Sequence, residues 1–486
     1  MLGIAEFFIA LVVCLLILQF LKLQQMRTQL PPGPAPLPVI GNLWLLDFKL
    51  HRETLTKLTN IYGNIYTLWM GQTPMVVLNG YKAVKDGIIT HSEEISGRPL
   101  TPFYRDMMGI FLTSGHTWKQ QRRFGMTIIR SLALGKNNLE HQIQTEACHL
   151  VDIFANTKGK PFDPHTFIVH AIANIICAVV FGHRFSSEDE SFSKLIKLMF
   201  LPFCLKSQMY DAFPWLMHCL PGPHQKVFAY NNFMHNLVIK EVQTHERQNA
   251  SDPQDLIDFY LSSCECTLQT KDDPTSTFNK ENMVQTVVDL LLGGTETTST
   301  TLLWALLYMV QYPEIQEKVQ REIEAVLEPS HIISYEDRKK LPYTNAVIHE
   351  ALRMAYYLLE RSPKKESVIH RKYNLCFFLQ GTLVLPNLHS VVYDSEHWAT
   401  PGKFNPNHFL DFDGNFVNKE AFLPFSAGHR VCLGEQMARV ELFIIFTNLL
   451  RAFTFQLPEG VKEINLEYIL GAILQPHPYK LCAIPR

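Results

Sequence analysis

The chain has 486 residues, 47% hydrophobic and 19% charged, a globular composition with ample length to bury a large core. The 46 acidic and 44 basic residues leave a net charge of −2, which excludes a general electrostatic hold on nucleic acid. Ten scattered cysteines, with Cys264 and Cys266 as the one close pair and no second pair at zinc spacing, argue against structural zinc and fit reduced thiols.

Phe7–Leu21 is free of charge and broken only by the polar Gln19. With Met1–Ala5 before it, the stretch reaches the roughly 20 residues a membrane span needs. A cleaved signal peptide would want basic residues ahead of the apolar run and small residues after it. Here the basic residues, Lys22 and Arg27, follow. A buried core helix is the other reading of the run. The charge asymmetry predicts an anchor whose following body lies in the cytoplasm. In the cytoplasm the glycosylation acceptor Asn249-Ala250-Ser251 would go unused.

Leu30–Pro38 carries Pro31, Pro32, Pro34, Pro36 and Pro38, so it cannot be helical and reads as a stiff extended strap. It is either a spacer or a ligand for another protein. Ile65–Met70 and Met75–Leu78 are β-prone runs around a Gly71-Gln72 turn. From about residue 81 to 355 the pattern is mostly helical, and 376–392 regains β character. The fold class is mainly α with a minor β-sheet region. No linker stands out after residue 45, so the expected organisation is an anchor at 1–21, a linker and Pro-rich strap at 22–45, and one large domain at 46–486.

Gly97-Arg98-Pro99 precedes Trp118-Lys119-Gln120-Gln121-Arg122-Arg123, where Trp118 and Arg122 share a helical face. A surface cation–aromatic pair would look the same. Phe278–Tyr312 reads as one long helix stopped by Pro313. Its middle, Gly293-Gly294-Thr295-Glu296-Thr297-Thr298, is made of poor helix formers, which predicts a kink, a site or tight packing. His349-Glu350-Ala351-Leu352-Arg353 places Glu350 and Arg353 on one face. Near the C-terminal end, Phe425-Ser426-Ala427-Gly428-His429-Arg430-Val431-Cys432-Leu433-Gly434 presents one cysteine just before an amphipathic helix. The N-terminus of a helix favours an anion, so a thiolate held at Cys432 is a good metal ligand. Arg430 could pair with a carboxylate on the same cofactor. Gly428 and Gly434 are expected to permit close backbone approach and unusual dihedrals.

That decapeptide matches Phe-x-x-Gly-x-Arg-x-Cys-x-Gly, and the chain resembles the cytochrome P-450 family from residue 31 onward. Gly293-Gly294-Thr295-Glu296-Thr297 matches the family's distal motif, [Ala/Gly]-Gly-x-[Asp/Glu]-Thr. Glu350-x-x-Arg353 with Pro406-Asn407-His408-Phe409 matches its buried ion triad. The resemblance implies a cytochrome P-450 fold with one N-terminal transmembrane helix, haem b as cofactor, and Cys432 as the axial ligand of the haem iron. Phe425, Gly434, Arg430, Trp118, Arg122 and Arg98 would belong to the cofactor's binding shell, the three last toward its propionates. Glu296 and Thr297 would be the catalytic acid and hydroxyl. Ile110–Leu112, Val287–Leu292 and Ile473–Leu474 would line the substrate pocket, or else are ordinary core. NADPH would act indirectly, through NADPH–cytochrome P-450 reductase, with cytochrome b5 as a second electron donor. Lys119 and Arg123 would lend a basic surface to such a partner. The strap would be a spacer, and the chain would sit in the endoplasmic reticulum membrane, its catalytic domain facing the cytoplasm.

The stretches Pro161–His165, Phe213–Trp215, Leu220–Gln225 and Tyr312–Gln320 resemble the microsomal family-two enzymes, especially the arachidonic acid epoxygenases. This implies a monooxygenase that hydroxylates or epoxidises lipophilic substrates such as polyunsaturated fatty acids or xenobiotics. A lipid-peroxide isomerase or synthase of the same fold is the alternative enzyme. Between Met354 and Gly381 the resemblance lapses into a charge-dense run, Tyr356–Glu366, where an apolar pocket-lining turn is expected. With permissible codons, Tyr356–Pro363 shifted by one nucleotide reads His-Ile-Ile-Ser-Leu-Asn-Val-Pro, and Tyr373–Cys376 reads Thr-Thr-Phe-Ala. Both suit the family's pattern, so part of 355–380 is expected to be out of frame. If it is truly as written, a catalytically impaired haem protein is the third reading.

Overall fold

The structure, a computed structural model, describes residues 2–46, 52–99, 102–105, 112–134, 139–186, 188–199, 210, 214–248, 252–270, 275–355, 364–365, 372–373, 376–377, 382–461, 463–470 and 473–486. The Asn249-Ala250-Ser251 acceptor, Phe213 and most of 355–380 lie outside these residues. Two compact units are drawn from interleaved stretches of the chain. The first takes Met1–Pro99, Leu359–Pro401 and Glu420–Cys432, and the second Leu100–Leu358, Gly402–Lys419 and Leu433–Arg486.

The first unit begins with helix α1, Leu2–Arg27, long and apolar enough to cross a membrane. Its apolar side chains from Ile4 to Leu21 are exposed, whereas Leu23 is buried with Leu30 against Trp69. The surface thus changes character at the expected end of the anchor, although the helix itself runs on to Arg27. The strap is extended, as its prolines dictate, but it does not stand clear as a spacer. Thr67 donates from its backbone N to Pro32 O at 2.9 Å and from Oγ1 to Pro31 O at 2.9 Å. A Cβ on Gly33 would lie 2.0 Å from Thr67 O, so glycine is what lets the two backbones meet.

Strands β1 (Ile65–Met70) and β2 (Thr73–Leu78) pair antiparallel as expected, Ile65 opposite Leu78, with Gly71 at φ +64° in the turn. Short strands β3 (Lys364–Lys365), β4 (Lys372–Tyr373) and β5 (Cys376–Phe377) and strand β6 (Leu383–Pro386) complete the unit's sheets, in the order β1-β2-β6-β3 with β4-β5 as a separate hairpin. β2 and β6 run parallel. Leu58, Tyr66, Leu68, Val77 and Leu385 form the core beneath. The β character expected through 392 stops at Pro386. Asn387 accepts from Ser390 N through its side chain and starts a short helix, Leu388–Val392, because a capping asparagine after proline outweighs the β-prone Val391-Val392.

The second unit is helical. Its principal elements are α2 (Gly115–Leu134), α3 (Leu139–Ala155), α4 (His165–Phe181), α5 (Lys280–Gln311), α6 (Pro342–Ala355) and α7 (Glu435–Ala452). Strands β7 (Phe453–Gln456), β8 (Tyr468–Leu470), β9 (Leu474–Pro476) and β10 (Cys482–Pro485) form two small antiparallel two-stranded sheets, β7 with β10 and the hairpin β8 with β9. α5 starts where Asn279 accepts from Asn282 N and ends before Pro313, a length of ~48 Å. Its weak centre does not break it. A Cβ on Gly294 would lie 2.5 Å from Ile176 Cδ1 of α4, so this glycine serves close helix packing. Thr297, Ser299 and Thr301 return their hydroxyls to Gly293 O, Thr295 O and Thr297 O at 2.7, 2.6 and 2.9 Å.

The triad read from the sequence forms inside this unit. Arg353 donates from Nε and Nη2 to Glu350 at 2.8 and 2.7 Å, and His408 Nδ1 lies 3.2 Å from Glu350 Oε1. Asn405 N also donates to Glu350, at 2.9 Å, and all three side chains are buried. The triad ties α6 to the 3₁₀ turn Pro406–Phe409.

Candidate functional site

In the first unit the Cys432 loop is closed on itself. Cys432 N donates to Phe425 O at 2.9 Å and Val431 N to Gly428 O at 3.1 Å, with Ser426 at φ +60° and Gly428 at φ +71°. A Cβ on Gly428 would stand 1.8 Å from Ile88 O and 2.8 Å from Ser92 Cβ, so no other residue fits. His429 Nδ1 meets Ser92 Oγ at 3.1 Å. Arg430 donates from Nε to Ser96 O at 2.7 Å, tying the loop to the segment that carries Arg98 two residues later in sequence. The Cys432 thiol is exposed, unusual for one of the most buried residue types. Gly434, in the second unit, caps α7 at φ −93°, and a Cβ there would meet no protein atom within 4 Å. The protein's own packing therefore explains Gly428 and does not explain Gly434, contrary to the expectation that both serve unusual dihedrals. An exposed thiol on a loop closed by its own backbone, with Arg430 two residues before it, fits an iron-centred group that carries carboxylates.

In the second unit α2 presents Trp118 and Arg122 as its period predicts. Trp118 is 5% exposed and the Arg122 guanidinium lies 5.9 Å from its ring centre, so the pair is no loose surface contact. Lys119 and Arg123 are exposed on the same helix. Val287, Val288 and Leu291 are fully buried on α5, and Ile473 and Leu474 are buried around β9. Ile110 and Phe111 lie outside the described residues, and Leu112 is half-buried.

Glu296 and Thr297, neighbours in sequence, diverge. The Thr297 hydroxyl donates to Gly293 O, so its oxygen lone pairs remain to accept. Glu296 reaches instead toward β9, where Gln475 donates from Nε2 to its Oε1 at 3.2 Å. Burial pushes the Glu296 carboxyl up to about 7, against the opposing pull of the Gln475 amide. Near neutral pH such a group can both hold and release a proton. Gln475 was not anticipated. Its signal was one polar residue directly after the apolar pair Ile473-Leu474.

Residues 31–483 match the model of the family described as Cytochrome P450. The chain is 43% identical to cytochrome P450 2J5 of Mus musculus over 464 residues, covering 94% of this chain and 91% of that protein. It is 42% identical to cytochrome P450 2J2 of Homo sapiens over 482 residues, covering 97% and 94%. Cytochrome P450 2F2 of Mus musculus is 40% identical over 469 residues, covering 94% of each chain.

Proposed function

Because the chain belongs to the cytochrome P450 family, a family of haem-thiolate monooxygenases, we propose that Cys432 is its iron ligand and that Glu296 and Thr297 manage protons for oxygen activation. Bound haem supplies the activation of O2 and the transfer of one oxygen atom to carbon, with electrons that originate in NADPH and arrive through a reductase. The chain's own residues supply the rest. The Cys432 loop offers its thiol from a backbone locked by Gly428. Arg98, Arg430 and the Trp118–Arg122 pair are the partners for haem carboxylates. Phe425 and Gly434 complete the shell around the thiolate. Glu296 stores a proton near neutrality under the hold of Gln475, and Thr297 accepts and orients a hydrogen bond beside it.

The substrates we propose are lipophilic, polyunsaturated fatty acids such as arachidonic acid or xenobiotics, hydroxylated or epoxidised. Support comes from the family-two stretches in the sequence and from the buried apolar side chains at 287–291 and 473–474. α1 anchors the chain in the endoplasmic reticulum membrane, with Lys22 and Arg27 setting the catalytic body of 46–486 toward the cytoplasm. Lys119 and Arg123 offer cations to NADPH–cytochrome P450 reductase or cytochrome b5.

The observation that carries the reading is the exposed thiol on a loop that tolerates no side chain at 428. The test is a carbon-monoxide difference spectrum of the reduced full-length protein and of Cys432→Ala. The thiolate-haem band should appear in the first and vanish in the second. Its persistence in Cys432→Ala, or its absence from folded wild-type protein, overturns the assignment.

A further inference from the structure

We propose that Thr277 is a positioning residue for the Trp118–Arg122 pair: an anchor just before α5 that Gln120 and Gln121 grip, and that thereby sets the rotation of α2 about its axis. The proposal rests on the role given above to Trp118 and Arg122 as partners for haem carboxylates.

Gln121 is 2% exposed and Trp118 5%, three residues apart on one face of α2, with Arg122 directly following. A buried side-chain amide needs partners for its donors and its acceptor, and leaving them unmet is strongly unfavourable. Gln121 finds them on other segments of the chain. Its Nε2 donates to Thr277 O at 3.0 Å and to Thr277 Oγ1 at 3.1 Å, and Tyr260 donates its hydroxyl to Gln121 Oε1 at 2.9 Å. Gln120 adds the complementary half. Thr277 donates to Gln120 Oε1 from its backbone N at 2.7 Å and from its hydroxyl at 2.6 Å. The hydroxyl thus gives its proton to one glutamine and accepts from the next. At the first turn of α2, His116 Nε2 lies 3.0 Å from Thr275 O, so the same short segment is met a second time.

Thr277 is itself held to the long helix. Asn282, in the first turn of α5, donates from Nδ2 to Thr277 O at 2.7 Å. Beside this node Phe124 of α2, Phe278 and Tyr260 of the helix Leu256–Thr270 meet edge to face in all three pairings, with ring centres 5.0, 5.4 and 5.3 Å apart. Apolar burial is non-directional, so the aromatic cluster holds α2 close without fixing its angle. Hydrogen bonds between defined donors and acceptors do fix an angle. A turn of α2 that took Gln121 off Thr277 would carry Trp118 and Arg122 around the axis with it. The sequence holds the trace of this arrangement as two glutamines enclosed between Trp118 and Arg122.

The test uses the full-length, haem-loaded protein and follows transfer of haem to excess apomyoglobin, with circular dichroism checking the fold of each variant. Thr277→Val keeps the side-chain shape and the backbone groups but loses the hydroxyl, and Gln121→Leu loses the buried amide. Both should release haem several-fold faster than wild type and shift the propionate bending bands of the resonance Raman spectrum. Thr277→Ser restores the hydroxyl and should behave as wild type. Thr277 is half-buried, so Thr277→Val decides the matter even where Gln121→Leu costs folding. In an Arg122→Leu background Thr277→Val should accelerate release less than it does alone, because part of what it positions is gone. Wild-type release from Thr277→Val, no recovery in Thr277→Ser, or the full acceleration repeated in the Arg122→Leu background would overturn the proposal. Failure of the haem-carboxylate reading shows separately, as wild-type release from Arg122→Leu itself.

Discussion

Replacing Arg353 by methionine should destabilise the protein by about 3–5 kcal/mol, the typical loss when one member of a buried ion pair is removed. The guanidinium makes two charged hydrogen bonds to Glu350, at 2.8 and 2.7 Å, and a third to Lys403 O at 3.2 Å. Bonds of the charged kind contribute about 1.5–3 kcal/mol each. Glu350 keeps Asn405 N and His408, which offsets part of the loss. What remains is a carboxylate at 0% exposure with its main counter-charge gone. Against a total stability of about 5–15 kcal/mol the variant is severely weakened. Urea unfolding followed by circular dichroism measures it. The triple variant Glu350→Leu, Arg353→Met, His408→Leu strands no charge and should recover most of the loss. A single-variant loss below about 1 kcal/mol, or a triple variant as weak as the sum of its singles, would refute the desolvated-pair reasoning.

Gly428→Ala should prevent the Cys432 loop from closing, because a Cβ there meets Ile88 O at 1.8 Å on top of φ +71°. Haem content measured as the pyridine haemochrome should collapse, and full content would contradict the geometry. Thr297→Ala should retain haem but divert reducing equivalents to peroxide, and unchanged coupling of NADPH to product would remove Thr297 from proton delivery. Glu296→Gln should flatten the stability profile: the folded protein holds a proton there that the unfolded chain releases between pH 4.5 and about 7, so stability falls across that window by at most ~3 kcal/mol in wild type. A glutamine variant with the wild-type slope would reject that origin. Resequencing the transcript over residues 355–380 should show the frame to be shifted. One uninterrupted frame with codons that cannot give the expected residues would reject it.

What was legible in the sequence lies mostly within a few residues along the chain. Trp118 and Arg122 meet because they are one turn apart, as do Glu350 and Arg353, and helix spacing alone announces both. The β1–β2 hairpin follows from two β-prone runs and a glycine turn. What stayed hidden are contacts that join distant stretches. Gln475 reaches Glu296 across 179 residues, and Arg430 reaches Ser96 across 334. No periodicity encodes such a meeting, since tertiary packing decides it. The Pro386-Asn387 stop shows the same limit at short range: one capping side chain overruled the β-propensity of two valines.

The docked strap changes what the anchor is mechanically. Leu23 and Leu30 close over Trp69, Arg27 donates to Gly33 O at 3.2 Å, and Thr67 grips Pro31 and Pro32. The end of the apolar helix is therefore packed onto the β1 strand of the first unit and is not joined to it by a free tether. Removing residues 1–29 would strip Leu23 and Met26 from Trp69, now 1% exposed, and leave a fresh apolar patch where the joint used to be.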